Sequence, residues 1–562
     1  MFITCKSIFS VILFTLISFF IWGNTYNVKD YGAKGDGKTD DTAAFQKAMD
    51  EATKNNGGIV FAPTGNYLIK THLTIPDFVT LEGVWRCPTS WSENKGATLL
   101  AVEGAGKPDD TPFITLFKNS TIKGVTVFYP NQTETNPPIA YPWCIASGGA
   151  DNCSIIDVLL VNPYMAVDFG TRVAGRHYIK NLYAQPLYKG LFIDQCYDVG
   201  RVEDVHFWPF WKYKEGDPIA QFIQEKGTAF ILGRTDWEYM SNCFAIFYSV
   251  GFHFLKVNSG PGNALLNTCG ADICHTAVLV DDCQSHAGIS FSNSQMYGDI
   301  TISNTNTGPV KFTGCGLFGS THGKGGFTHA KISGSGQISF SNCHFLTLDP
   351  RNKEKRVVYA ESGGLSIIGC DFMDVGREHI FLDAGIQSAV IMGNRFRGTA
   401  NIINMTNMNI SILGNVEDKR EEEREAIIID NSSGSDSFKT EGEWFGANVG
   451  GGYLGDLLWA KNGKGECKAI WTPEIPEDGM YRVFVWYGMD VNNDHAANAP
   501  FTINHKNGSK EIKVNLKKNS MQWYLLGEFP FEKGRKGNMT LTNAADQNLV
   551  ADAVKFLPVK RD

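Results

Sequence analysis

From Tyr164 to Phe210 one alternation of apolar and polar positions is written twice. YMAVDFGTRVAGRHYIKNLYAQP begins at Tyr164 and YKGLFIDQCYDVGRVEDVHFWPF at Tyr188; in each, an apolar run ends in Asp, a polar bend follows, and a second apolar run closes the phrase. Further copies begin at Gly227, His275, Gly336, Gly363 and Ala389. Aligned on a phrase that ends in Asn or Cys, the positions Cys243, Cys269, Ser294, Cys315, Cys343, Cys370, Asn394 and Asn415 fall one per copy, 21 to 28 residues apart. Short β-type runs bounded by Gly, Asn and Asp at such a period are the pattern of a solenoid. A leucine-rich repeat would add Leu at fixed intervals and a helical segment, and neither is present. The pattern therefore predicts a parallel β-helix, each copy one coil, with like residues stacked about 4.8 Å apart.

Strand alternation then assigns directions. Val167, Ile193 and Val280 should point inward, and Asp168, Asp194 and Asp281 outward. Asp168 and Asp194, 26 residues apart, are expected as ladder neighbours on consecutive coils. Two carboxylates about 5 Å apart would leave one holding its proton, and that separation is what a retaining glycosidase uses for its nucleophile and its acid/base. The alternative is structural: aspartates at bends accept backbone N–H groups in Asx turns. Arg172, Arg176, Arg201, Glu203, Asp204 and His206 surround the pair in sequence, and the longest interruption of the repeat follows, from Trp208 to Gly227. Trp208, Trp211 and Tyr213 in it are expected at the surface, stacking on sugar rings, unless they pack the loop onto the β-helix. The next coil adds Asp236 and Glu238, so the candidate catalytic set is Asp168, Asp194, Asp236 and Glu238. The candidate substrate-binding set is Arg172, Arg176, Arg201, His206, Trp208, Trp211 and Tyr213. Beyond Met296 the coils are plain, and His322, His344 and His379 are read as structural or solvated. Tyr129, Tyr141 and Trp143, among prolines, suit either a sugar-facing loop or a packed one.

Composition narrows the picture. The chain has 562 residues, 59 of them Gly, with 20 % charged and 43 % hydrophobic, enough for more than one domain. A net charge of −8 argues against nucleic acid as a partner. Lys6 precedes an apolar run from Ile8 to Trp22, short of the roughly 20 residues that a membrane span needs. Residues 1–23 are accordingly read as a signal peptide, with a secreted or periplasmic product and no stable membrane insertion after cleavage. Of 13 cysteines, Cys243, Cys269, Cys315, Cys343 and Cys370 recur at the coil period, which suits stacked small apolar residues better than disulfides. No metal site and no cofactor are expected, since no CxxC spacing of the zinc type occurs.

The segment after the signal, DYGAKGDGKTDDTAAFQKA with GGIVFAPTGNYLI and LTIPDFVTLEG, carries a helix capped by Asp40 or Asp41 and closed at Gly57 and Gly58. An amphipathic helix there would cover the first coil. This stretch closely resembles the opening segment of pectate-lyase-like β-helix proteins, the glycoside hydrolase family 28-related group, whose members cleave, isomerise or bind many glycans. The resemblance implies a right-handed parallel β-helix over residues 24–416. The polygalacturonase phrases do not carry over: DD stands at Asp281 and Asp282, but GHG and RIK are missing.

Composition shifts at the charged linker 417–425, and residues 426–562 read as short alternating strands, an antiparallel β-sandwich. GGYLGDLLWAKNGKGECKAIWTPEIPEDGMYRVFVWY, APFTINHKNG and VADAVKF resemble the golvesin or xanthan-lyase-type carbohydrate-binding-like domain. Trp459, Trp471, Trp486 and Trp523 are candidates for a stacking platform, with Trp471 and Trp486 expected in the core.

The fold class is all-β, a capped parallel β-helix followed by a sandwich. The expected function is a secreted enzyme cleaving glycosidic bonds of a polysaccharide, a glycoside hydrolase with a carboxylate pair. A metal-free polysaccharide lyase acting on a uronate glycan, with Tyr183, His206 or Lys256 as base, stands as the alternative. A non-catalytic glycan-binding or adhesion protein is the reading from another class.

Overall fold

A computed structural model describes residues 24–84, 95–214, 216–319, 328–347, 355–418, 426–447, 451–490 and 492–559. The signal segment, His322 and most of the charged linker lie outside them. From Thr25 to Asp418, 39 strands pair in parallel into one continuous sheet system, each coil contributing to three ladders. In the first ladder Tyr178 pairs with Arg201, Arg201 with Tyr239, Tyr239 with Leu265 and Leu265 with Ser290. In the second, Ala184, Phe207, Ala245 and Ala271 follow one another. In the third, Val167, Leu191, Phe230, Phe252 and Val278 do.

Local chemistry makes the coils. Between the first and second ladders the backbone turns through a left-handed residue, and Asn181, Asp204, Asn242, Asn293 and Asn342 hold that position at φ of 54°, 55°, 53°, 49° and 52°. Asn and Asp tolerate this conformation because their short side chains hydrogen-bond locally. The next residue returns to the interior, which is where the Cys and Asn ladder falls. Cys243, Cys269, Cys315, Cys343 and Cys370 are buried and free, as the period predicts. Inward aromatics continue the order: Phe312 stacks between Phe291 at 5.2 Å and Phe340 at 5.1 Å, with interplanar angles of 2° and 9°. Val167, Ile193 and Val280 are fully buried, so the inward assignments hold.

The helix Thr42–Lys54 buries Phe45, Ala48, Met49 and Ala52 against the first coils. Asp41 occupies its N-cap position, but its carboxylate binds the backbone N–H groups of Lys34 (2.6 Å) and Gly35 (2.9 Å); the Asp40 carboxylate instead takes the N–H of Thr42. Tyr129 and Tyr141 are buried and pack edge to face at 4.8 Å, so that loop is core-forming.

Residues 427–558 form separate antiparallel sheets of four, five and three strands around Trp471, Val483, Phe501 and Phe556. Trp471 is core, whereas Trp486 is half-buried in a cluster with Tyr453 and Trp523, and Trp459 stacks on Phe445 at 4.7 Å. No helix among the described residues is long and apolar enough to cross a membrane.

Candidate functional site

The expected ladder of paired carboxylates does not form. Asp168 lies opposite Phe192, and Phe169 opposite Ile193, so Asp194 is two residues beyond the level of Asp168. Inward packing sets this frame: Val167 on Leu191 and Phe169 on Ile193 keep the apolar stack continuous, and the acids take the levels that remain. One carboxylate oxygen of each, Oδ1, is then engaged by backbone and hydroxyl donors. Asp168, 5 % exposed, accepts the N–H groups of Gly170 (2.9 Å) and Thr171 (2.7 Å). Asp194 accepts from the N–H groups of Gln195 (2.8 Å) and Arg234 (2.7 Å) and from the Ser259 hydroxyl (2.7 Å). Asp168 has the Asx-turn geometry, with the Gly170 N–H two residues on, whereas Asp194 ties its own bend to later coils at Arg234 and Ser259.

The other candidates are dispersed as well. Asp236 pairs with Arg234 at 2.9 Å and takes a bond from Gln284 at 2.7 Å. Glu238 is not at the surface but fully buried, its Oε1 3.0 Å from His177 Nε2, because in Glu238–Ser241 alternation turns Glu238 and Met240 inward and Tyr239 outward. Arg172 is exposed in the bend after Phe169, and Arg176 bridges Asp151 (2.6 Å) and Asp198 (3.0 Å). The aromatic insertion departs from its expected place at the surface beside the acids. It is half-buried along the second ladder: Tyr213 stacks on Phe247 at 4.6 Å, Trp211 packs on the core, and Trp208 lies 5.5 Å from His206, itself a ladder neighbour of Tyr183. The helix Pro218–Lys226 continues this packing, burying Ile219, Ala220 and Ile223. Burial lowers the pKa of His206, favouring the neutral ring. The aromatics thus serve the packing alternative.

Of the predicted substrate-binding residues, Arg201 lines a groove. A cavity of about 370 Å³ runs over the outward face of the first ladder, lined by Arg201, Glu203, Tyr239, Leu265, Asn267 and Ser292 among others. Arg201 and Tyr239 are adjacent rungs, as are Glu203 and Ser241. One coil back, Lys180 (3.2 Å) and the Tyr178 hydroxyl (3.2 Å) both donate to Glu203 Oε2. Burial, then Glu203, raises the pKa of Tyr178, so it stays a phenol at neutral pH. Tyr239 and Leu265, each 41 % exposed, provide apolar faces between these polar groups. A cation, hydroxyls, a carboxylate and an aromatic face in one shallow groove match the amphiphilic surface of a sugar. Tyr239 and Leu265 escaped the sequence reading because their place beside Arg201 follows only from the register between coils.

A second constellation lies on the third ladder. His253, between the inward Phe252 and Phe254, meets Asp281 at 2.8 Å, and Ser303 donates to the same carboxylate at 3.2 Å. The His253 hydrogen bond holds Asp281 below the usual carboxylate range, against the opposing effect of burial. Lys256 lies 3.8 Å from the neighbouring Asp282. Asp281 stood in the sequence as an outward acid; its partner His253 carried no motif.

Comparison with known proteins adds lineage to this geometry. A family model described as rhamnogalacturonase A/epimerase, pectate lyase-like, matches residues 25–146, and one described as the Golvesin C-terminal domain matches residues 427–558. Alginate lyase 7 of Azotobacter vinelandii is 64 % identical over 44 residues, 8 % of this chain and 5 % of that protein. The xanthan lyase of Bacillus sp. (strain GL1) is 30 % identical over 151 residues, 25 % of this chain and 16 % of that protein. The chain thus spans no more than 16 % of the length of these two relatives. The crystal structure of the pre-mature bacteriophage phi29 gene product 12 aligns with 73 % of this chain and 57 % of its own at a TM-score of 0.51 and 16 % identity, a likeness of fold. Residues 25–146 thus match a pectate-lyase-like family and residues 427–558 the Golvesin C-terminal domain, at the two ends of the chain.

Proposed function

We propose that this protein is a secreted polysaccharide-active enzyme that binds a uronate-bearing glycan along the first ladder and cleaves it by β-elimination. The observation that carries the reading is the adjacency of Arg201 and Tyr239 in the groove above Glu203. Elimination requires removal of the proton on C5, which is acidic enough only when the uronate carboxylate is neutralised, and Arg201 offers a planar bidentate cation for that carboxylate. With Tyr239 acting as the base in its phenolate form, its oxygen takes the C5 proton, the C4–O4 bond breaks as the C4–C5 double bond forms, and the phenol returns the proton to O4. The names of two relatives, an alginate lyase and a xanthan lyase, favour the same chemistry. The signal-like segment supports export.

Against hydrolysis by Asp168 and Asp194 stand their offset by two levels and the engagement of Oδ1 in each. A hydrolase reading retains one specific support, the outward His253–Asp281 pair with Lys256 and Asp282 beside it. Incubation of the full-length protein with alginate, xanthan and pectate separates the readings. Elimination leaves an unsaturated uronate that absorbs in the ultraviolet, and Arg201→Ala or Tyr239→Phe should lower the rate at least about 100-fold with little change in melting temperature. New reducing ends without that absorbance, lost in Asp281→Asn, would replace this assignment by the hydrolase. Binding without any product would make the protein a glycan-binding module.

A further inference from the structure

Beneath the groove the interior holds a polar cluster that the elimination does not use. His177, Gly200 and Glu238 immediately precede the ladder neighbours Tyr178, Arg201 and Tyr239, so they occupy one inward position on three successive coils. The middle residue has no side chain: a Cβ at Gly200 would lie 2.2 Å from Glu238 Oε2 and 2.5 Å from His177 Cε1. The two outer side chains meet across that gap, with His177 Nε2 3.0 Å from Glu238 Oε1. Cys196 adds its sulfur from the middle coil, and the three donor atoms lie within 4.8 Å of one another. All three side chains are completely buried.

Two further observations point to a ligand among them. His177 Nδ1 donates to the Ala174 carbonyl oxygen at 2.8 Å, which aims Nε2 at Glu238 Oε1; once a metal displaces the Nε2 proton, this is the orientation of a metal-bound imidazole. Glu238 Oε2, inside the same cluster, has no hydrogen-bond partner. A carboxylate oxygen left orphaned in a low-dielectric interior is expensive, and a cation removes that cost.

We propose that His177, Cys196 and Glu238 are the ligands of a structural zinc ion that clamps three coils together under the groove. Nitrogen, thiolate sulfur and carboxylate oxygen are the donors that Zn²⁺ takes, and bonds of about 2.0 to 2.3 Å place tetrahedral donors about 3.3 to 3.8 Å apart, within reach of this cluster. Charge also balances: one thiolate and one carboxylate neutralise the dication, so the occupied site buries no net charge. Cys196 Sγ lies 2.8 Å from the Asp198 carbonyl oxygen, and the fourth position falls to that oxygen or to water. Cys196 also lies off the stacked cysteine ladder, since it follows the third ladder, after the left-handed Gln195 (φ 54°), at an isolated bridge to Thr235.

The test is metal content of the full-length protein produced with zinc and dialysed against a weak chelator. One zinc per chain is expected, and the cobalt-substituted protein should show a thiolate-to-cobalt charge-transfer band. Cys196→Ala should lose the zinc and the band, while His495→Ala, in the separate group of Asp490, Asp494 and His495, should keep both. Glu238→Gln retains a hydrogen bond to His177 and serves if Cys196→Ala fails to fold; it should lower zinc retention at least 10-fold. Wild-type protein without zinc, or Cys196→Ala or Glu238→Gln with undiminished zinc, would overturn the proposal.

Discussion

Gly200→Ala tests how tightly the interior is ordered. Nothing about the backbone there demands glycine; the demand is steric, since the added carbon would stand 2.2 Å from Glu238 Oε2 and 2.6 Å from His177 Nε2. Contacts that short are not tolerated, so the His177–Glu238 contact at 3.0 Å must open. Breaking a buried pair of this kind costs about 3–5 kcal/mol, because both groups stay buried without a partner. A cooperative unit of about 390 residues unfolds with an entropy near 0.8 kcal/mol/K, so the melting temperature should fall by about 4–6 °C. Thermal unfolding followed by circular dichroism measures it directly. In a His177→Ala, Glu238→Ala background, where the crowding side chains are gone, the same change should cost almost nothing. A single variant within about 1 °C of wild type, or an equal loss in the emptied background, would refute the reasoning.

Two other outcomes follow from interior packing. Phe312→Ala removes a ring held between Phe291 and Phe340, and should cost about 3–5 kcal/mol in urea unfolding, with a smaller loss for Phe312→Leu. Burial, followed by Lys355 and Arg377, pulls the His329 pKa down from 6.5 to about 3. The unfolded chain therefore takes up that proton below about pH 6.5 while the native state does not, so the contribution of His329 is complete above pH 6.5 and fades down to pH 3. Between pH 7 and pH 4 it amounts to about 3 kcal/mol, which His329→Gln should remove from the acid limb of the stability profile; equal acid limbs for the two proteins would contradict it.

The architecture was legible because its signals are local. Gly, Asn and Asp recur where each coil turns through a left-handed residue, the cysteine ladder follows that turn, and inward apolar residues alternate with outward polar ones. The capping helix announced itself in the same way, through Asp40, Asp41 and Gly57. The site was less legible. Alternation says that Asp168 and Asp194 face outward, but which outward residues become neighbours depends on how many residues each bend consumes. Val167 settled on Leu191 and not on Ile193, so the acids parted by two levels and each found backbone N–H groups to satisfy. Alternation within Glu238–Ser241 put Glu238 inside and Tyr239 outside, and the frame between coils set Tyr239 beside Arg201. Sequence by itself determined the repeat, the two domains and the direction of most side chains, because those follow from periodicity along the chain. Only the tertiary structure decided the register between coils, since that is set by apolar side chains packing across coils some two dozen residues apart. The groove and the buried His177, Cys196 and Glu238 cluster exist only through that register.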